Sequence, residues 1–304
     1  MILTVTLNAA LDVTYQAAEI DIKGSNRVDH VFRRAGGKGV NVARVLAALG
    51  REVLVTGLAG GPTGQAIIAD LDAAGLPHAL APVAGDSRMT LTLFDTAYGS
   101  AGVFNEPGPT VSPDELGNFA KKYEQLLETA SAVVISGSLP KGVPADFYAT
   151  LARIAADRGV PAIVDADGEP LRHAPDGHPA IMKPNHEELA RAVPGGTPEE
   201  GAQALRDRGA KSVVVSMGER GLLAVTPDGT FRARMPYNVE GNPTGAGDAL
   251  VAGLALGLVE RTPWPERLRR AAALGAAAVA APVAGDFDRE VYDHIHPKID
   301  ITQR

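Results

Sequence analysis

The sequence predicts an α/β fold: a mostly parallel sheet flanked by helices, with a small accessory β-sheet set apart from it. Three observations carry that expectation. Apolar runs alternate with amphipathic stretches along most of the 304 residues, which is the pattern of βα units. Val133–Ile135 and Ile163–Val164 are apolar at every position, as strands covered by helices on both faces are. Two segments, Val13–Arg34 and Arg88–Asn105, break the rhythm with β-branched and alternating residues and no helical period.

The elements follow in order. Strands are expected at Ile2–Leu7, Val53–Leu58, Ala132–Ser136, Ala162–Asp165, Ala180–Lys183 and Ser212–Ser216. Helices are expected at Val40–Leu49, Thr63–Ala74, Pro113–Glu128, Pro144–Arg158 and Pro198–Arg208, and the Ala-rich C-terminal stretch reads as mostly helical. In the second interruption Met89, Leu91 and Leu93 alternate with Thr90 and Thr92. A sheet with no helix in its own sequence to cover it must pack its apolar side on a substrate cleft or a second copy of the chain. With no repeat or flexible linker, residues 1–304 read as one domain with an accessory sheet from roughly 13–34 and 88–105.

Composition removes several classes of function. Lys plus Arg is 29 against 36 for Asp plus Glu, a net charge of −7, which argues against a non-specific binder of nucleic acid or anionic membrane. The chain has no cysteine, so disulfides, Cys-ligated zinc, iron–sulfur clusters and a Cys nucleophile are excluded. The start, MILTVTLNAALD, lacks the basic region of a signal peptide, and the apolar run Ala271–Ala284 is too short to span a bilayer and contains Pro282. A cytoplasmic protein is expected.

The most informative stretch is Asn242-Pro243-Thr244-Gly245-Ala246-Gly247-Asp248, which opens into the apolar Ala249–Val259. A glycine turn entering a helix leaves backbone N–H groups for an anion, and the helix dipole favours the ionised form of Asp248 in the first turn. Phosphoryl transfer to an alcohol needs that pair, a carboxylate to take the hydroxyl proton and N–H groups to hold charge on the moving group. The same pattern fits a plain helix start. A second glycine turn, Ala35-Gly36-Gly37-Lys38-Gly39-Val40-Asn41, also feeds a helix. It is neither a Walker loop, since Gly39 follows Lys38, nor a dinucleotide fingerprint. Lys38 and Asn41 can bond sugar hydroxyls or a phosphate. Five cationic residues from Arg27 to Arg44 against the single acid Asp29 suggest an anionic ligand, or alternatively a solvated basic edge strand.

Three further loops fit the same chemistry. Ser136-Gly137-Ser138-Leu139-Pro140 ends a buried strand, the end at which open α/β sheets bind ligands, so Ser138 can donate to a phosphate. In Lys183-Pro184-Asn185-His186-Glu187-Glu188, Asn185 and Glu188 share a helix face, which suits Mg²⁺ directly or through water and equally suits a capping box. Ser216-Met217-Gly218-Glu219-Arg220-Gly221 separates two strands as a hairpin turn or a cradle for a nucleotide phosphate.

In this order, TLNAALD (Thr6–Asp12), NRV (Asn26–Val28), AGGKGVNVARVLAALG (Ala35–Gly50), SGSLPKGVP (Ser136–Pro144), KPNHEEL, SMGERG and GAGDA resemble the ribokinase-like (phosphofructokinase B) sugar kinases. The branch is that of 1-phosphofructokinase and tagatose-6-phosphate kinase, and the resemblance runs over nearly the whole chain. It implies a doubly wound α/β domain with a small β-sheet lid and an ATP- and Mg²⁺-dependent kinase, and the alternation at Met89, Leu91 and Leu93 predicts a homodimer whose lids meet. It implies Asp248 as base and Gly245, Ala246 and Gly247 as anion hole. Asp12, Gly37, Lys38 and Asn41 would bind the sugar, and Arg27, Arg88 and Ser138 its phosphate, Arg27 reaching across a dimer. Lys183, Asn185, Ser216, Gly218 and Gly221 would serve ATP, and Asn185 with Glu188 the Mg²⁺. Ala9 stands where the branch usually has proline, and Pro243 precedes Thr244 where other residues are usual. The expected reaction is phosphorylation of a ketohexose phosphate, foremost fructose 1-phosphate to fructose 1,6-bisphosphate, with tagatose 6-phosphate or fructose 6-phosphate as alternatives. A kinase of an unphosphorylated sugar or nucleoside would have no use for Arg27, Arg88 and Ser138 together. A catalytically silent sensor would have no use for Asp248.

Overall fold

The computed structural model describes residues 1–18, 20–21, 23–98 and 100–304, so positions 19, 22 and 99 of the two lid segments lie outside the described residues. The chain begins β1 (Ile2–Thr6), β2 (Ala10–Ala17), β3 (His30–Gly36), α1 (Lys38–Ala48), β4 (Val53–Ala59), α2 (Gly61–Ala73) and β5 (His78–Pro82). It continues β6 (Arg88–Asp95), β7 (Ser100–Asn105), α3 (Pro113–Leu127), β8 (Ala132–Ser136), α4 (Phe147–Asp157), β9 (Ala162–Asp165), α5 (Gly168–His173), β10 (Ile181–Met182), α6 (His186–Ala192) and α7 (Pro198–Asp207). Last come β11 (Val213–Ser216), β12 (Leu222–Thr226), β13 (Gly229–Arg234), α8 (Ala246–Val259), α9 (Trp264–Val279), α10 (Arg289–Ile295) and β14 (Asp300–Gln303).

Ten strands form the main sheet in the order β14-β13-β12-β11-β10-β9-β8-β1-β4-β5, parallel from β11 to β5 and antiparallel at the β12–β14 end. From β1 the chain winds one way through β4 and β5 and then the other way from β8 to β11. The order therefore reverses between β1 and β8, and the crevice at such a reversal is where ligands settle in open α/β sheets. Strands β1, β8 and β9 are buried at every position, and their side chains divide between two cores, one on each face of the sheet. Helix α8 is apolar nearly all round because it is sandwiched between α1 and α9. No helix among the described residues is long and apolar enough to cross a membrane.

The second sheet has four strands, β3-β2-β6-β7, and contains both segments that broke the βα rhythm. Its cover differs from the sequence expectation. Helix α2 packs on β2 and β3, and Leu91 with Tyr15 leans on the main core, so the alternating Met89, Leu91 and Leu93 do not form one bare face. Most of its exposed apolar side chains lie on the edge strands instead, Val31 and Phe32 on β3 and Val103 and Phe104 on β7, with Met89 at the start of the inner strand β6.

Candidate active site

Helix α8 starts at Gly245, whose φ of +86° is a left-handed value open to glycine, and a side chain there would come within 2.9 Å of Ala284. The turn is tighter than a plain helix start. Ala246 N–H donates to the Pro243 carbonyl at 3.2 Å and Asp248 N–H to the Gly245 carbonyl at 3.0 Å. The N–H groups of Gly245 and Gly247 make no hydrogen bond among the described residues and are left for a ligand. Asp248 is buried and accepts a hydrogen bond from Asn41 Nδ2 of α1 at 2.8 Å. Burial, reinforced by the nearby Asp165 carboxylate, pushes its pKa up to about 7 against the pull of Asn41, Lys38 and Lys183. Burial thus works against the helix dipole, which favours the ionised form.

Asp165, which sequence reasoning took only as the end of a strand, is the centre of the charge arrangement. It is fully buried, and its Oδ1 accepts from Lys38 Nζ at 3.2 Å and lies 3.3 Å from Lys183 Nζ. Burial alone would raise its pKa, but the two ammonium groups outweigh burial and hold it below the ordinary carboxylate value. Its Oδ2 is buried with no hydrogen-bond partner among the described residues. Burial likewise works against the Lys38 charge, and the carboxylates of Asp165, Glu188 and Asp248 overcome it and raise that pKa. The sequence shows only that Asp165 ends an apolar strand at the ligand-binding end of the sheet; its pairing with Lys38 comes from a segment far away in the chain.

A cleft of about 830 Å³ opens beside this buried floor and meets it at Lys38, with Gly37, Arg88, Ser138 and Glu188 also among its walls. It straddles the β1–β8 reversal, where Asn8 Nδ2 after β1 donates to Ser138 Oγ after β8 at 3.1 Å. Arg88, at the first position of lid strand β6, turns inwards, with its Nε donating to the Asn8 carbonyl at 3.0 Å. Asp12 lies behind that wall in β2. Burial raises its pKa, opposed by Thr90, Arg88, Arg34 and Arg44. Not every expected residue lines the cleft: Asp248, the turn Gly245, Ala246 and Gly247, and Asn41 and Lys183 all lie outside its walls. Arg27 is exposed and outside its walls, and Asn185, Ser216, Gly218 and Gly221 sit beside one another, Asn185 bridging to Ser216, without walling it.

Asn185 and Glu188 form the capping box in full. Asn185 Oδ1 accepts from the N–H groups of Glu187 and Glu188 at 2.9 and 2.8 Å, and Glu188 Oε2 accepts from Asn185 N–H at 2.7 Å. The cap does not exclude a cation. Glu188 still faces the cleft, and the partnerless Asp165 Oδ2 adds a second hard oxygen to the neighbourhood. Among the described residues no three His, Asp or Glu converge as a metal cage, so a bound Mg²⁺ would keep waters in its shell.

The comparisons with known proteins fit this frame. The fold matches phosphofructokinase-2 from Escherichia coli at 30% identity and a TM-score of 0.90, covering 98% of each chain. It matches a possible 1-phosphofructokinase from Thermotoga maritima at 26% identity and a TM-score of 0.89, over 100% of this chain and 99% of that one. Ribokinase from Arabidopsis thaliana, at 21% identity and a TM-score of 0.74 over 97% and 98%, shares the fold. The architecture is therefore that of the ribokinase-like kinases. Residues 5–289 match the pfkB family of carbohydrate kinases, and the chain belongs to that family, as an ATP-dependent sugar kinase of the phosphofructokinase type.

Proposed function

We propose that the protein phosphorylates a ketohexose phosphate with ATP, foremost fructose 1-phosphate to fructose 1,6-bisphosphate. The observation that carries this reading is the inward-turned Arg88 on a cleft that also holds Ser138 and Lys38, since a neutral sugar gives no reason to bring a guanidinium there. Asp248 takes the proton of the sugar hydroxyl, that oxygen bonds to the terminal phosphorus of ATP, and the bridging P–O bond breaks to release ADP. Gly245, Ala246 and Gly247 form the turn whose N–H groups hold the charge of the moving phosphoryl group. Asp12, Gly37, Lys38 and Asn41 orient the sugar. Lys183, Asn185, Ser216, Gly218 and Gly221 hold the nucleotide, and Asn185 with Glu188 would hold Mg²⁺, whose charge screens its phosphates.

Fructose 6-phosphate is the second reading. It is favoured by the likeness to phosphofructokinase-2, which has been solved in complex with that sugar. A coupled ADP-release assay across fructose 1-phosphate, fructose 6-phosphate, tagatose 6-phosphate and free hexoses decides between them, and a preference for a free hexose would overturn the phosphosugar reading. The exposed Phe32, Val103 and Phe104 favour a homodimer through the lid, in which Arg27 serves the partner's cleft. A monomeric mass by light scattering would refute that assembly.

A further inference from the structure

Arg34, the fifth residue of lid strand β3, makes two bonds that leave the lid. Its Nη1 donates to the Ala284 carbonyl at 3.2 Å and its Nη2 to Asp286 Oδ1 at 2.6 Å. The segment it grips backs the reaction centre. Ala284 is the residue against which Gly245 closes, within 2.9 Å of where a Gly245 side chain would begin. Gly285, with φ +85°, approaches α1 so closely that a Cβ there would sit 3.2 Å from Asn41 Oδ1, on the side chain that holds Asp248. On its other side Arg34 stands directly across the strand pair from Asp12, and its charge acts on the Asp12 carboxylate.

We propose that Arg34 is a positioning residue that fixes the lid to the Ala284–Asp286 loop and so sets the anion-hole turn and Asp248 in place when the lid engages the sugar. The proposal rests on the reading of Asp248 and the Gly245 turn as the reaction centre. A fork with one prong on a carbonyl and one on a carboxylate locks orientation as well as distance, which a single ammonium does not. Small displacements of reacting groups cost rate far out of proportion to any loss of affinity.

The experiment compares Arg34→Ala, Arg34→Lys, Asp286→Ala and the double variant Arg34→Ala/Asp286→Ala. The expected result is a fall in kcat of about 10- to 100-fold for Arg34→Ala with KM for ATP within about twofold, partly restored in Arg34→Lys. The double variant should be no worse than the poorer single one, because both remove one link. A purely structural role would lower the melting temperature and leave kcat per folded enzyme unchanged, and that result overturns the proposal. So would fully additive effects. Amide exchange without any substrate provides a second reading. Residues 244–247 and 283–287 should exchange faster in Arg34→Ala than in the wild type, and equal exchange overturns the proposal. This arm holds whichever sugar is the acceptor, so a wild type inactive on every ketohexose phosphate refutes the substrate reading without deciding the role of Arg34.

Discussion

On the buried floor of the site, beside the cleft, Asp165, Asp248, Lys38 and Lys183 arrive from strand ends and helix starts of the main sheet, and both carboxylates and Lys183 are almost wholly buried. In the lid above it, Arg88, Thr90, Asn105 and Asp12 belong to a four-stranded sheet that keeps part of its surface in water, and they meet one another through ordinary hydrogen bonds. The two carboxylates on the floor are removed from solvent, and neighbours move their pKa values in opposite directions: Asp165 is held low by two ammonium groups while burial and Asp165 push Asp248 up. On the proposed reading the floor carries the changes of protonation and charge in the reaction, and the lid recognises the sugar phosphate. Substitutions on the floor should therefore act on rate and those of the cleft-facing lid residues on affinity, whereas Arg34, which leaves the lid to grip the Ala284–Asp286 loop, should act on rate.

The largest expected effect belongs to Asp248→Asn. It keeps the acceptor for Asn41 and loses the base, and turnover at saturating substrates should fall about 10²- to 10⁴-fold with sugar affinity little changed. Near-normal turnover would mean that the floor does not supply the base. The wild-type rate should rise with pH through about 7 as Asp248 ionises, and this limb should vanish from the residual activity of the variant.

Next comes the lid. Arg88→Ala should weaken binding of a sugar phosphate by one to two decades, the worth of a charge-assisted bond of about 1.5–3 kcal/mol, and leave binding of the same sugar without phosphate nearly unchanged. Arg88→Lys should recover only part, since it keeps the charge and loses the fork. Equal small losses for both ligands would move the phosphate site away from the lid and dissolve the contrast.

The contrast was unevenly legible in the sequence. The strands at Ala132–Ser136 and Ala162–Asp165 coincide with the expected spans, because continuous apolar runs bounded by turns leave little choice of boundary. The lid was legible as two interruptions of the βα rhythm, but the cover that α2 gives to β2 and β3 was not, since packing between elements distant in the chain leaves no local period. Strands β5, β13 and β14 were missed; β5 and β14 are the two edges of the main sheet, and β13 is paired only within its antiparallel end. In the site, glycine turns announce themselves through composition. Asp165 and Arg34 do not, because what they do depends on partners far away in the sequence, Lys38 for one and Asp286 for the other.

A smaller effect tests how the floor and its cap divide the work of Glu188. Glu188→Gln keeps an acceptor for Asn185 N–H and removes the charge, so the Mg²⁺ concentration for half-maximal rate should rise several-fold while the helix start survives. An unchanged Mg²⁺ dependence accompanied by a lower melting temperature would leave Glu188 with the cap alone.

The smallest effect is thermodynamic and reads the floor without any substrate. Asp248 has a pKa near 7 in the folded protein against an ordinary value of 3.8. Between those values the folded state binds more protons than the unfolded one, so the contribution of Asp248 to stability is fully present below about pH 4 and is lost as pH rises through 7. An asparagine at that position carries no charge to bury and escapes the loss. Asp248→Asn should therefore melt close to the wild type at pH 4–5 and a few degrees above it at pH 8, each kcal/mol being worth about 2–4 °C in a chain of this size. A gap that does not widen with pH would mean that solvent or the neighbouring ammonium groups hold Asp248 at an ordinary pKa. The floor would then differ from the lid in geometry alone.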